Sequence, residues 1–184
     1  YKETFTDING DESEIDFMHQ AADFKYYENG DTKAVKLPYE NGLSMVVVLG
    51  DTKNILNDIH NNKMTSKLVD VSLPKFKAEY SIDYVNILKN MGIEKAFDNQ
   101  NADFSLMLEN YPERIKIDSV LQKAMIDVDE KGTEAAAATV AVLTKSALSV
   151  DEEVIEFRAD KPFTYYILDD NGNVYFAGRY VKAE

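Results

Sequence analysis

Short apolar runs cut by Asn-Gly pairs set the rhythm of this chain. The pairs are Asn9-Gly10, Asn29-Gly30, Asn41-Gly42 and Asn171-Gly172. Asn-Gly suits tight hairpins because both residues tolerate positive φ. The neighbouring runs have strand character: residues 15–18, 24–27, 34–37 and 43–49. The last is apolar almost throughout, which predicts burial on both faces. Residues 164–168 and 174–177 flank the fourth pair as a closing hairpin. Residues 68–80 and 115–128 also read as strands. Two stretches take helical spacing. Residues 52–68 carry Ile55, Leu56, Ile59, Met64 and Leu68; residues 84–91 carry Val85, Leu88 and Met91. Ser81 is placed to cap the second helix and Gly92 to stop it.

One tract breaks the pattern. Gly132-Thr133-Glu134-Ala135-Ala136-Ala137-Ala138-Thr139 runs on through small residues and valines to Val150. Alanine is the best helix former, so propensity alone predicts a helix. Yet the tract has no wide apolar stripe to bury. Standing alone, it would read as a short surface helix.

Composition narrows the field. The chain's 184 residues suffice for one domain with a real core, and apolar residues are spread throughout. A net charge of −13 repels phosphate backbones, which speaks against nucleic-acid binding. The chain has no cysteine, so disulfides, thiolate metal sites and a cysteine nucleophile are excluded. No apolar run approaches the ~20 residues of a membrane-spanning helix, and no membrane role is expected. No signal sequence is visible; the chain opens on Tyr1 rather than methionine. The expectation is a soluble protein, with export left open. Its basic residues are overwhelmingly lysine and asparagine is frequent, a usage read as prokaryotic.

Chemistry-bearing constellations are few. Asp7, Asn9 and Asp11 resemble the start of a calcium loop. However, Glu12 stands where glycine is needed and Met18 where the bidentate glutamate is needed. Asp169-Asp170-Asn171-Gly172-Asn173 fails in the same way and reads as a hairpin. His19 and His60 are the only histidines, and neither lies in a zinc-protease or nucleophile-elbow context. The serine-rich stretch at 144–149 has no paired base. No catalytic residue, metal or cofactor is expected.

The exceptional tract gains meaning from its neighbours. Together with Glu130 and Lys131, it resembles the hinge of the reactive-centre loop in inhibitory serpins nearly residue for residue. Phe157-Arg158-Ala159-Asp160-Lys161-Pro162-Phe163 is similar to the signature that follows that loop, and Phe176-Ala177-Gly178-Arg179-Tyr180 to the family's terminal strand. Leu73-Pro74-Lys75-Phe76, Met91-Gly92-Ile93 and Ala102-Asp103-Phe104-Ser105 fall in family order upstream. Leu37-Pro38-Tyr39 with the Ser44-Met45 run resembles the middle strands of sheet B. The resemblance covers essentially the whole chain. It implies an α+β, serpin-like fold of mostly antiparallel sheets with few helices. Residues 1–184 would be the C-terminal part of a single serpin domain, with the reactive-centre loop at about residues 130–150.

The resemblance also marks three departures. Everything the family places before the third strand of sheet C is absent from this chain, so the N-terminal half of the fold must come from the rest of a longer protein or from a companion polypeptide. Gln122 stands where the family's shutter usually has histidine; glutamine can still bridge by hydrogen bonds. The helical region after Gly50 is short.

As for function, the resemblance implies an inhibitor of serine proteases, not an enzyme. In the family, the fold is metastable and the protease cleaves the exposed loop. The freed segment then inserts into sheet A and carries the acyl-enzyme with it, an instance of strand addition. The residues suit that motion. Alternate strand residues face opposite ways, so Thr133, Ala135, Ala137, Thr139 and Ala141 would face inward, all small and uncharged, while Glu134 faces out. Gly132 lets the chain bend where strand becomes loop. Glu130 and Lys75 match a family pair at the breach that holds the top of sheet A shut. The family's count from the hinge puts the reactive bond at Ser146-Ala147, suiting elastase-like or subtilisin-like proteases. A loop one residue shorter puts it at Lys145-Ser146, suiting a trypsin-like one. A non-inhibitory serpin, acting as substrate, carrier or chaperone, is the alternative; the small hinge argues against it. An unrelated β-rich binding module would leave the ordered motifs unexplained.

Overall fold

The computed structural model describes residues 1–107, 115–129 and 154–183. They form two compact units, one of residues 1–76 with the described residues from 127 onward, the other of residues 77–126.

The larger unit is built on one sheet. Its strands are β1 (Lys2–Thr6), β2 (Glu12–Asn29), β3 (Thr32–Pro38), β4 (Leu43–Leu49), β5 (Thr65–Pro74), β8 (Ile155–Arg158), β9 (Phe163–Asp169) and β10 (Val174–Tyr180). Their order is β10-β9-β4-β3-β2-β5-β8, with β1 also on β2. All pairs are antiparallel except β5–β8. Strand β2, with 18 residues, unites the two expected runs at 15–18 and 24–27. That is well beyond the usual 3–10 residues, and β2 manages it by serving three neighbours in turn. Residues 12–16 pair with β1, 17–26 with β5 and 25–29 with β3.

The sheet packs on both faces. Val46, Val47 and Val48 of β4 are all buried, as their unbroken apolar run predicts. On one side, Val46 and Val48 meet Tyr27, Ala34, Met64, Leu168 and Ile55, the last from helix α1 (Ile55–His60). Elsewhere Phe5, Phe76, Phe163, Tyr165 and Tyr180 form an aromatic cluster. Its ring centroids lie 4.9 Å apart for Phe76–Tyr180 and 5.0 Å for Phe5–Tyr180. Edge and tilted contacts of this kind add to the area buried. Gly178 makes room for the cluster: a β-carbon there would fall 2.3 Å from the Tyr165 phenol oxygen.

The smaller unit holds most of strands β6 (Phe76–Asp83) and β7 (Leu121–Val128), which pair as a two-stranded sheet, and helix α2 (Val85–Asn90). Short 3₁₀ turns occupy Lys95–Phe97 and Ser105–Met107.

Local expectations need four corrections. The helix expected over 52–68 is only one and a half turns long. The Asn61-Asn62 pair ends it, Asn62 taking φ 55°, which asparagine tolerates better than most residues. Strand β5 comes next, so Leu68 belongs to a sheet. The run at 68–80 is two strands, broken at Lys75, and they enter different sheets. Ser81 lies inside β6 and caps nothing. The capping position is Tyr84, while Asp83 Oδ1 accepts from the Val85 and Val120 amides at 3.0 and 3.1 Å. The Asp83 carboxyl is held below the usual carboxylate range by those two bonds. Finally, of residues 115–128 only 121–128 are strand.

Candidate functional site

The hinge residues Glu130, Gly132, Thr133, Glu134, Ala135, Ala136, Ala137, Ala138 and Thr139 lie outside the described residues. So do Lys145, Ser146 and Ala147. What the structure does describe is the strand on either side of residues 130–153.

Strand β7 leads into the segment. Leu121, Gln122, Lys123 and Met125 are exposed along it, and only Val128 is buried. Gln122 therefore sits on an open strand. Lys75 lies at the β5–β6 break, half-buried, its backbone amide 2.8 Å from the Asp16 carbonyl. The partner expected for its side chain, Glu130, is not among the described residues.

Strand β8 leads out of the segment and is anchored by backbone and side chains alike. Its four residues pair in parallel with Val69–Ser72 of β5. Phe157 and Ala159 are fully buried. The Ala159 amide donates to the Ser72 carbonyl at 2.9 Å, and the Thr6 amide donates to the Asp160 carbonyl at 2.9 Å. Most letters of the run 157–163 thus have a structural reason. The two phenylalanines fill the core, Ala159 is packed in with no exposed surface, and Pro162 stands where the chain turns into β9.

A row of polar side chains crosses this sheet beside β8. Glu3 Oε1 lies 2.6 Å from His19 Nε2, and Ser72 Oγ donates to Glu3 Oε2 at 3.2 Å. His19 Nδ1 lies 3.4 Å from Arg158 Nη1, and Arg158 Nη2 donates to Asp70 Oδ2 at 2.9 Å. Sequence reasoning dismissed His19 for lack of a catalytic motif. Nothing in local spacing joins residues 3, 19, 70 and 158; only the strand register does.

A cavity of about 580 Å³ opens beside the start of β8, lined by Tyr26, Tyr27, Lys63, Thr65, Lys67 and Ile155 among others. Two of its lining residues, buried Tyr27 and exposed Lys63, meet at the buried Asp58. Tyr27 donates to Asp58, and Lys63 Nζ lies 2.8 Å from Asp58 Oδ1. The Lys63 bond, then the Tyr27 bond, hold the Asp58 carboxyl below its usual range, and Asp58 in turn raises Lys63. Asp7 is buried in the β1–β2 turn. Burial works to raise its carboxyl, but the Asp11 and Asn9 amides, bonded to Oδ1 at 3.0 and 2.7 Å, outweigh it. Among the described residues, no cluster of His, Asp and Glu could hold a metal ion.

The sheet order, with a parallel edge strand arriving straight after the Ala-rich segment, invites comparison with known folds. The model of the serpin (serine protease inhibitor) family matches residues 1–183. The chain belongs to the serpin family. A serpin-like protein of Thermococcus kodakarensis is 37% identical over 194 residues, covering 96% of this chain and 43% of that protein. Serine proteinase inhibitor 2 of cowpox virus is 35% identical over 162 residues, covering 82% and 46%. The crystal structure of a thermophilic serpin, tengpin, in the native state superposes with a TM-score of 0.79 at 29% identity. It covers all of this chain and 50% of that one. The chain thus spans about half the length of the serpins it matches, and it carries one part of the fold: a β-rich part with few helices. No helix among its described residues is long and apolar enough to cross a membrane.

Proposed function

We propose that this chain is the C-terminal half of an inhibitory serpin and supplies its reactive-centre loop, with the rest of the fold contributed by an N-terminal half. The observation that carries this reading is the hinge, Glu130 to Thr139, whose inward-facing positions are all small and uncharged. A long polar side chain there would be buried unpaired on insertion, at a cost of ~1–3 kcal/mol or more. Glu130 pairs with Lys75 at the breach, Gln122 takes the shutter histidine's place, and the protease cleaves Ser146-Ala147. Small residues there favour an elastase-like or subtilisin-like target; cleavage at Lys145-Ser146 would indicate a trypsin-like one. The cowpox relative's name as a serine proteinase inhibitor supports the inhibitory reading. Exposure of Tyr80, Leu121 and Met125 on the two-stranded sheet supports a missing partner, since two strands alone are marginally stable.

The test is a gel. The protein completed by its N-terminal half, mixed with subtilisin or elastase, forms an SDS-stable band; a substrate is merely cut. Cleavage near Ser146 also raises the melting temperature sharply, because a metastable fold relaxes. A cleaved form no more stable than the intact one would sink the trapping mechanism.

A further inference from the structure

The four Asn-Gly pairs share a reactive chemistry as well as a turn preference. A glycine amide nitrogen has no side chain to crowd it, so it can attack the side-chain carbonyl carbon of the asparagine before it. All four pairs sit at hairpin turns, yet the fold leaves them in different states.

Two are tied down at the nitrogen. The Gly10 amide donates to the Asp7 carbonyl at 3.0 Å, and the Gly172 amide to the Asp169 carbonyl at 3.1 Å. An amide whose hydrogen is engaged must lose that bond before its nitrogen can attack. In both turns the same aspartate also accepts from the asparagine's own backbone amide, Asp7 from Asn9 at 2.7 Å and Asp169 from Asn171 at 2.9 Å. At Asn29-Gly30 the restraint is on the side chain. Asn29 ends β2 in register with Thr32, and its Nδ2 donates back to the Tyr27 hydroxyl at 3.3 Å, away from Gly30.

Asn41-Gly42 has neither restraint. Both residues are exposed in the short link between β3 and β4. Among the described residues, no acceptor holds the Gly42 amide. The Asn41 side chain folds forward, its Oδ1 accepting from the Leu43 amide at 3.1 Å. A bond from a side chain to the amide two residues on carries the side-chain carbonyl across the nitrogen between them, here that of Gly42. The same bond aims an N–H at the oxygen on which negative charge gathers when that nitrogen attacks.

We propose that Asn41 is a site of spontaneous modification, its side chain closing onto the Gly42 nitrogen within the native turn. The Gly42 amide gives its proton to a base in solution. Its nitrogen bonds to Asn41 Cγ, and the side-chain nitrogen takes up a proton and leaves as ammonia. Water then opens the resulting succinimide at one carbonyl or the other, giving aspartate or isoaspartate. Water is the only reactant consumed. Either product adds a negative charge beside Glu40. Isoaspartate also lengthens the backbone of the link, next to the Pro38–Ser44 pair that begins the ladder. The β3–β4 turn thus records the age of the molecule, whether or not the protein is an inhibitor.

Peptide mapping tests this on the complete protein, aged in mildly alkaline buffer below its melting temperature. Trypsin leaves each of the four pairs on its own peptide. In the folded protein, aspartate and isoaspartate should appear at Asn41 about three- to tenfold faster than at Asn9, Asn29 or Asn171, the factor for one hydrogen bond that must first be broken. In denaturant all four pairs are unconstrained, and that spread should collapse. Asn41→Gln keeps an amide but must close a larger, slower ring, so its peptide should stay unmodified. Conversion at any of the other three as fast as at Asn41, a ranking that persists in denaturant, or product in the 37–53 peptide of Asn41→Gln overturns the proposal. So does a folded protein in which Asn41 stays intact while the denatured chain converts.

Discussion

Strands β7 and β8 stand at opposite ends of the same segment, in very different company. Strand β8 feeds a sheet of eight strands, buries Phe157 completely and holds Arg158 to Asp70. Strand β7 has β6 as its partner and exposes Leu121 and Met125. A strand anchored by a fully buried aromatic side chain has little to gain from rearranging. One with apolar side chains in water gains by covering them. Among the described residues, then, β8 is the fixed end and β7 the loose one.

The contrast can be broken by experiment, and the largest effect is expected at the loose end. Thr133→Arg should convert the completed protein from inhibitor to substrate, because an arginine entering the sheet must be buried and deacylation wins the race. Unchanged stoichiometry of inhibition would show that the β7 side accepts no such strand. At the fixed end, Phe157→Ala should destabilise the protein by about 3–5 kcal/mol in denaturant unfolding, the usual cost of emptying a fully buried aromatic site. A loss below ~1 kcal/mol would mean that β8 is not held by its core contact.

Acid should act on both units. Asp58 and Asp169 in the larger unit and Asp83 and Asp98 in the smaller are held below their ordinary range. The causes differ: Lys63 for Asp58, Asn173 for Asp169, backbone amides for Asp83 and Asp98. The unfolded chain then takes up protons first. Stability is full above the ordinary carboxylate value of about 4 and falls as pH drops through the lower folded values. A melting temperature unchanged from neutral pH to about pH 3 would contradict these assignments. The smallest effect belongs to Lys75→Ala, which would remove the proposed ion pair with Glu130, worth only ~0–1 kcal/mol. Its visible consequence should be faster spontaneous loss of inhibition rather than a shifted melt.

Much of this was legible from spacing. Asn-Gly pairs marked the turns, and the almost wholly apolar run at 43–49 announced a strand buried on both faces. The α+β class and the family followed from ordered motifs. Three things were not legible, each for a physical reason. Residues 52–68 keep helical spacing, but Asn61-Asn62 permits a left-handed turn and the tertiary ladder with β2 claims everything after Met64. Ser81 looked like a cap because serine often is one, yet Asp83, two residues later, holds the amides of Val85 and Val120. The Glu3–His19–Arg158–Asp70 row was invisible because its members meet only through register, across strands far apart in sequence. The hinge and reactive bond were read from their letters alone, and the described residues do not include them.

The sheet order has one more consequence, for synthesis. Strand β4 lies between β3, made just before it, and β9, made more than a hundred residues later. At the usual ribosomal rate of about 5–20 residues per second, the valine-rich edge of β4 waits on the order of ten seconds for its partner. Through that interval a nascent chain displays an unpaired, strongly β-forming edge that any neighbouring strand could claim. Crowded polysomes or an overdriven promoter should therefore send this protein into aggregates that a slower translation rate, or a holdase chaperone binding the emerging β4, would prevent.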